Sequence, residues 1–284
     1  MTTASFIPEF WSKKLQTAVS KALVFASPDV VNSDYEGEIS EAGDTVHINA
    51  VGDPTIATYS GSVSYEDTQT ADQVLVVDQA KYFAFKVKDI DKAQQAGDVA
   101  PTVMQRAAYK IKDVQDQFVE SLFAGAQSAN LVNTGNAVTC AVTDPTSAYD
   151  DVLVPLSVKL DEANVPTDGR FVIVPPWFHG LLIRDDRFIR ADASGNKPSV
   201  LGNGAVGEAA GFTVKKSNNC SLITGDDYRI SAGVNAAITF ASQITETETL
   251  RLQDSFADGV RGLYVYGAKL VRPEMIATAL ASQT

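Results

Sequence analysis

The sequence predicts an α+β fold, and three observations carry that prediction. Helical and strand periodicities both occur along the 284 residues, but they do not alternate as regular β-α-β units. Two strand-like segments flank a long polar stretch in the first third of the chain. The composition, 45% hydrophobic and 20% charged, is that of a chain with a large core and excludes a disordered, collagen-like or wholly coiled-coil protein.

Taken in order, Ser5-Phe6-Ile7-Pro8 reads as a helix start, and Trp11, Leu15, Ala18, Val19, Ala22 and Leu23 recur at helical spacing until Ser27-Pro28. Residues 44–51 alternate, with Val46 and Ile48 on one face, and Gly52-Asp53-Pro54 breaks that strand. Residues 54–72 are rich in Thr, Ser, Gly, Tyr and acids, and strand character resumes from Gln73 to Lys88. Two strands around a polar tip describe an extended hairpin. The longest helical signal is 98–124, with Met104, Ala107, Ile111, Val114, Phe118 and Leu122 as its apolar stripe and Arg106, Lys110 and Asp113 opposite. Residues 126–146 are small and polar and read as a boundary. A helix follows from Ser147, with Pro155 expected to kink or shorten it. Phe171-Val172-Ile173-Val174 is a buried strand, a short helix runs through Trp177, Leu181 and Leu182, and residues 191–211 form a Gly- and Ala-rich loop. Strands are expected at 212–216, 229–232, 236–240, 244–252 and 260–271.

Charge is unevenly distributed. The net charge of −12 argues against a dedicated nucleic-acid-binding domain. Residues 28–80 hold eleven acids and no Lys or Arg. Residues 81–112 reverse this, with Lys81, Lys86, Lys88, Lys92, Arg106, Lys110 and Lys112 against Asp89, Asp91 and Asp98. Two solvated faces explain this, and so does an acidic arm that docks on a basic face of another subunit. No stretch approaches the ~18 apolar residues of a membrane helix. The N-terminus does not read as a signal peptide, and synthesis in the cytoplasm is the expectation.

The sequence declines the usual chemistries. Gly202-Asn203-Gly204-Ala205-Val206-Gly207 matches a dinucleotide-binding pattern, but loop residues rather than a strand precede it. His47 and His179 lack a nucleophile partner, and there is no GxSxG, HExxH or CxxC. Asp150-Asp151, Asp185-Asp186 and Asp226-Asp227 read as solvated or capping pairs. Cys140 and Cys220 read as inert thiols in a reducing compartment. No catalytic, cofactor-binding or metal-binding residue is assigned.

Several stretches resemble the major capsid proteins of tailed double-stranded DNA bacteriophages with the HK97-type fold. They include Phe6-Ile7-Pro8-Glu9-Phe10-Trp11-Ser12, Asp34-Tyr35-Glu36-Gly37-Glu38-Ile39 and Asp78-Gln79-Ala80-Lys81-Tyr82-Phe83-Ala84-Phe85-Lys86-Val87. Further on come Val174-Pro175-Pro176-Trp177-Phe178 and Gly267-Ala268-Lys269-Leu270-Val271-Arg272-Pro273-Glu274. The resemblance implies an N-terminal arm at 1–33, an extension loop at 34–88 and a peripheral domain at 89–146 with its spine helix at 98–124. An axial domain at 147–241 and return strands of the peripheral domain at 242–284 complete it. It implies a non-enzymatic structural protein that self-assembles into pentamers and hexamers of an icosahedral shell around double-stranded DNA. The expected place is the virion capsid, assembled in the host cytoplasm, with scaffold, portal and decoration proteins as further partners and no cofactor.

Some family members weld the shell with an isopeptide bond from an extension-loop lysine. Residues 28–80 contain no lysine, so that route is closed here. The arm starts within the first ten residues, and a separate scaffold protein, or none, is expected. The candidate inter-subunit contacts are Glu66 and Asp67 on one copy against Arg106 and Lys110 on the next. Lys13, Lys14 and Lys21 are candidates to face packaged DNA through non-specific phosphate contact. Two alternatives stand beside this reading: an encapsulin-type compartment with the same fold, and a metal-dependent hydrolase using Asp185 and Asp186.

Overall fold

The structure is a computed structural model that describes residues 24–34, 45–51, 56, 58–59, 70–88, 99–133, 135–185, 207–252 and 257–283. Helices and strands are mixed without βαβ repetition, as an α+β chain requires.

Three sheets organise it. A two-stranded hairpin pairs β1 (Thr45–Val51) antiparallel with β2 (Thr70–Val76) in a register running from Thr45 opposite Val76 to Val51 opposite Thr70. A three-stranded sheet has the order β11-β12-β3, built from Ile238–Arg251, Ala257–Leu270 and Gln79–Lys88. The strand expected over 73–88 is therefore two strands. It breaks at Val77-Asp78, where the chain leaves the hairpin and enters a different sheet.

The third sheet has eight strands. Its main path adds β4 (Leu131–Val132), β13 (Ile276–Gln283), β10 (Asp227–Gly233), β6 (Phe171–Val174), β8 (Phe212–Lys216) and β7 (Glu208–Ala209) in that order. Beside that path, β5 (Val138–Cys140) pairs with β13 and β9 (Leu222–Thr224) pairs with β10. Two sequence expectations change here. Residues 126–146 are not a plain boundary, because β4 and β5 lie parallel to β13 in this sheet. The end of the chain does not stay with the preceding hairpin, since β13 pairs with β10. The expected division at 241/242 also falls inside β11, which is one strand with a bulge between Ile244 and Glu246.

Strand β6 shows why its four apolar residues are consecutive. Val172 and Val174 face one core with Val152, Leu156, Leu160, Phe178 and Leu182. Phe171 and Ile173 point the other way, into a second core with Phe25, Phe123, Tyr266 and Ile276. Period-2 alternation with both faces covered leaves no polar position. The first core is roofed by a π-helical turn (Ala148–Leu153), α2 (Val154–Glu162) and α3 (Pro176–Arg184). Pro155 sits in the first turn of α2, where its missing N–H costs nothing, so the wide π turn absorbs the kink that the sequence suggested.

The longest helix, α1 (Val99–Leu122), lies against both the three-stranded sheet and the second core. Its expected stripe is only partly right. Met104 and Ile111 are buried, but so are Ala108, Lys112, Gln115, Asp116, Val119 and Glu120, while Val114 is exposed. The helix is packed on two sides, and one of those sides presents backbone donors that need acceptors.

Candidate functional site

The candidate contact elements are the hairpin β1-β2, the exposed basic face of α1 and the joints that hold both. The hairpin β1-β2 pairs in a ladder with no other strand among the described residues. Its base is anchored instead by side chains. Ile48, Leu75 and Val77 pack on Ala241 and Val265 of the three-stranded sheet. Lys269 Nζ donates to the Val74 carbonyl at 2.8 Å, and Gln73 Nε2 donates to the Val271 carbonyl at 3.2 Å. Gly267 lets β12 pass beneath the joint, since a Cβ there would stand 2.5 Å from the Val76 carbonyl oxygen and 2.9 Å from Val77 Cα. The tip between the strands carries Ile56, 96% exposed, and Tyr59, 74% exposed. Glu66 and Asp67 lie on that tip outside the described residues, and no contact is assigned to them.

Arg106 and Lys110 are both exposed, one turn apart on the outer face of α1. Neither has an ion-pair partner among the described residues. Tyr109, 61% exposed, and the exposed Val114 share that face and were missed as surface features. Lys112, grouped with the basic residues on sequence, is buried instead, and burial lowers its pKa. Lys13, Lys14 and Lys21 lie outside the described residues.

The inner side of α1 is a carboxylate clamp. Asp116 Oδ1 accepts the backbone N–H groups of Val24, Phe25 and Ala26 at 2.9, 2.8 and 3.3 Å, and Oδ2 accepts Asn219 Nδ2 at 3.1 Å. One turn on, Glu120 Oε1 accepts the Ser221 N–H at 3.2 Å and Arg229 Nη1 at 3.3 Å, and Oε2 accepts the Ser221 hydroxyl. Gln115 Nε2 donates to the Tyr264 hydroxyl. Segment 24–34 is thus fastened to α1, with Phe25, Val30 and Val31 buried and Asn32 bridged to Thr239 at the start of β11. The spacing of Asp116 and Glu120 was a usable signal, since two acids four apart on one helix face repel unless each has donors.

The chemical candidates do not assemble. Among the described residues no cluster of three His, Cys, Asp or Glu could hold a metal ion. Asp185 is fully buried at the end of α3, and Asp186 lies outside the described residues. His179 is buried on α3, and burial together with the Lys216 charge lowers its pKa. His47 belongs to β1, but its side chain is outside the description, as is most of 202–207. Burial raises the Cys140 pKa to about 11 and the Cys220 pKa to about 12.

The family model described as phage capsid protein matches residues 70–279. The chain belongs to the phage capsid protein family. It is accordingly a structural major capsid protein with the HK97-like fold, and the virion capsid is its place. The structure titled Mycobacterium phage Che8 is 31% identical, covers 98% of each chain and gives a TM-score of 0.73. The capsid structure of cyanophage P-SCSP1u, 18% identical over 93% of this chain and 89% of that one, shares the fold at a TM-score of 0.67. The SrpI encapsulin of Synechococcus elongatus is more distant, 13% identical over 84% and 82% with a TM-score of 0.53. The phage capsid reading therefore stands ahead of the compartment reading. No protein of curated function matches the sequence.

Proposed function

We propose that this capsid protein assembles into pentamers and hexamers of an icosahedral shell around double-stranded DNA, with its hairpin laid on a neighbouring copy. The observation that carries the reading is the hairpin itself. Beyond its joint with the three-stranded sheet it is a two-stranded hairpin, which by itself is marginal in water. This one pairs with no other strand among the described residues and carries exposed apolar side chains at its tip. A second copy supplies the missing surface.

In this reading residues 1–33 act as the N-terminal arm and 34–88 as the extension loop. The α1 and three-stranded layer is the peripheral domain, and the eight-stranded sheet is the axial domain. Glu66 and Asp67 face Arg106 and Lys110 of the neighbour. Each exposed pair contributes only ~0.2–1 kcal/mol, but a closed shell repeats it many times. Lys13, Lys14 and Lys21 face the packaged DNA through phosphate contact alone. Assembly takes place in the host cytoplasm, with scaffold, portal and decoration proteins as separate chains.

The test is electron microscopy and light scattering of the expressed protein, beside the variant Arg106→Glu/Lys110→Glu. Closed shells or rings are expected from the natural chain and a several-fold loss from the variant, least at high salt. A monomer with or without candidate scaffold proteins overturns the assembly reading. Normal variant yield at high and low salt overturns the charge contact.

A further inference from the structure

Residues Val24–Asn32 form a strap fastened to three separate parts of the body. Its first three N–H groups end on Asp116 Oδ1 of α1. In its middle, Asp29 Oδ2 accepts Lys215 Nζ of β8 at 2.7 Å. At its end, Asn32 donates to the Ile238 carbonyl and accepts the Phe240 N–H, both at 2.8 Å, on β11. The strap also braces itself. The Ser27 hydroxyl donates to the Val24 carbonyl at 3.0 Å, and the Ser27 carbonyl accepts the N–H groups of Val30 and Val31. Val30 and Val31 are buried in the second core.

A second element ends on the same helix face. The turn Ser217–Ser221 joins β8 to β9. Asn219 Nδ2 donates to Asp116 Oδ2 at 3.1 Å, and both the N–H and the hydroxyl of Ser221 donate to Glu120. The Asn219 N–H donates to Ser217 Oγ at 3.1 Å, and Cys220 lies in the second core with the strap valines. The two oxygens of a carboxylate turn together. Asp116 cannot swing away from the strap and keep Asn219, nor can it follow Asn219 and keep three backbone donors. A buried polar group left unmade costs more than a made bond contributes, so half-released arrangements are disfavoured.

We propose that strap and turn are one cooperative latch with Asp116 as the shared catch, so that release of either releases the other. The turn feeds β9, whose Leu222 and Ile223 are 54% and 43% exposed. A contact made on that exposed apolar strand is then felt at the strap. A pull on the chain at Val24 loosens β9 in turn, because such coupling is reciprocal. The latch belongs to a single copy of the chain and does not depend on how copies assemble.

Amide exchange in the full-length chain tests it, with every variant in the same assembly state. Asn219→Ala removes the bond to Oδ2, and Asn219 bonds to no strap residue. It is expected to speed exchange about fivefold or more at Val24, Phe25, Ala26 and Asn32. Ser27→Ala loosens the strap from within, and Ser27 bonds neither to Asp116 nor to the turn. It is expected to speed exchange at Asn219 and Ser221 by a similar factor. Ile230 and Ala232, in the middle of β10, are expected to keep their natural rates in both variants. Effects confined to the mutated element, in either variant, show independent fastenings and overturn the latch. A rise at Ile230 and Ala232 equal to that at the strap reports general loosening and overturns it as well.

Discussion

Asp116 Oδ1 accepts the backbone N–H of Phe25 at 2.8 Å, ninety-one residues earlier in the chain. The same oxygen holds the N–H groups of Val24 and Ala26, so one carboxylate satisfies three consecutive donors where the arm joins the body. Asp116→Ala strands these donors and is expected to cost about 2–4 kcal/mol. Asp116→Asn keeps an acceptor and is expected to cost less than half as much. Chemical denaturation gives the cost, and amide exchange at residues 24–26 localises it. Unchanged protection in Asp116→Ala contradicts the clamp.

Glu120 does the same for the turn at Ser221 and also neutralises Arg229, whose side chain is 15% exposed against 3% for Glu120. Breaking such a pair from one side costs more than removing both members. Glu120→Ala is expected to destabilise by about 3–5 kcal/mol. The double variant Glu120→Ala/Arg229→Met is expected to recover part of that loss. Additive losses in a denaturation cycle rule out the coupling.

His179 gives the fold an acid sensitivity. Burial, with Lys216 adding to it, lowers its folded pKa below the ordinary 6.5, so the unfolded chain takes up the proton first. Its contribution to stability is complete above that value and is lost as pH falls through 6.5 toward the lower folded pKa. The natural subunit is expected to lose melting temperature between pH 7.5 and 5.5 more steeply than His179→Gln. Parallel curves contradict the assignment.

The thiols are expected to be silent. With Cys140 at about 11 and Cys220 at about 12, the thiolate fraction at pH 8 falls about a hundredfold or more below that of an unfolded cysteine. Maleimide labelling in the native state is expected to be slow and to become complete in urea. Rapid native labelling of either residue contradicts its burial.

Much of this architecture was legible in the sequence because its signals are local. Phe171–Val174 shows a two-faced strand by having no polar residue, and α1 was readable to within two residues by its period. The hairpin was readable from alternation on both sides of a polar tip. What failed was whatever depends on distant partners. Asp116, Gln115 and Glu120 look like solvent-facing residues until the donors of Phe25, Asn219 and Ser221 arrive from elsewhere in the chain. The break at Val77-Asp78 carries no glycine or proline to mark it, and what changes across it is the neighbouring strand. Strand β13 joins the larger sheet because Ala277, Ala279 and Ala281 fill its core, a fit that periodicity alone cannot announce. On α1, helical phase correctly put Arg106 and Lys110 outside, whereas Tyr109 and Val114 became visible as surface residues only once the helix had two packed sides.

Gly267 has a mechanical consequence. Val76 and Val77, where the hairpin joins the body, lie directly on the β12 backbone with no side chain between them, and Ile48, Gln73, Val74 and Leu75 hold the hairpin beside that joint. That junction works as a fulcrum. Three residues of each strand lie beyond the outermost anchors, Ile48 and Gln73, a reach of about 10 Å, so a swing of about 5° there moves the strand ends by about 1 Å. Small differences from one neighbour to the next in a shell can then be taken up at the strand ends, while the close backbone contact at Gly267 is left unchanged.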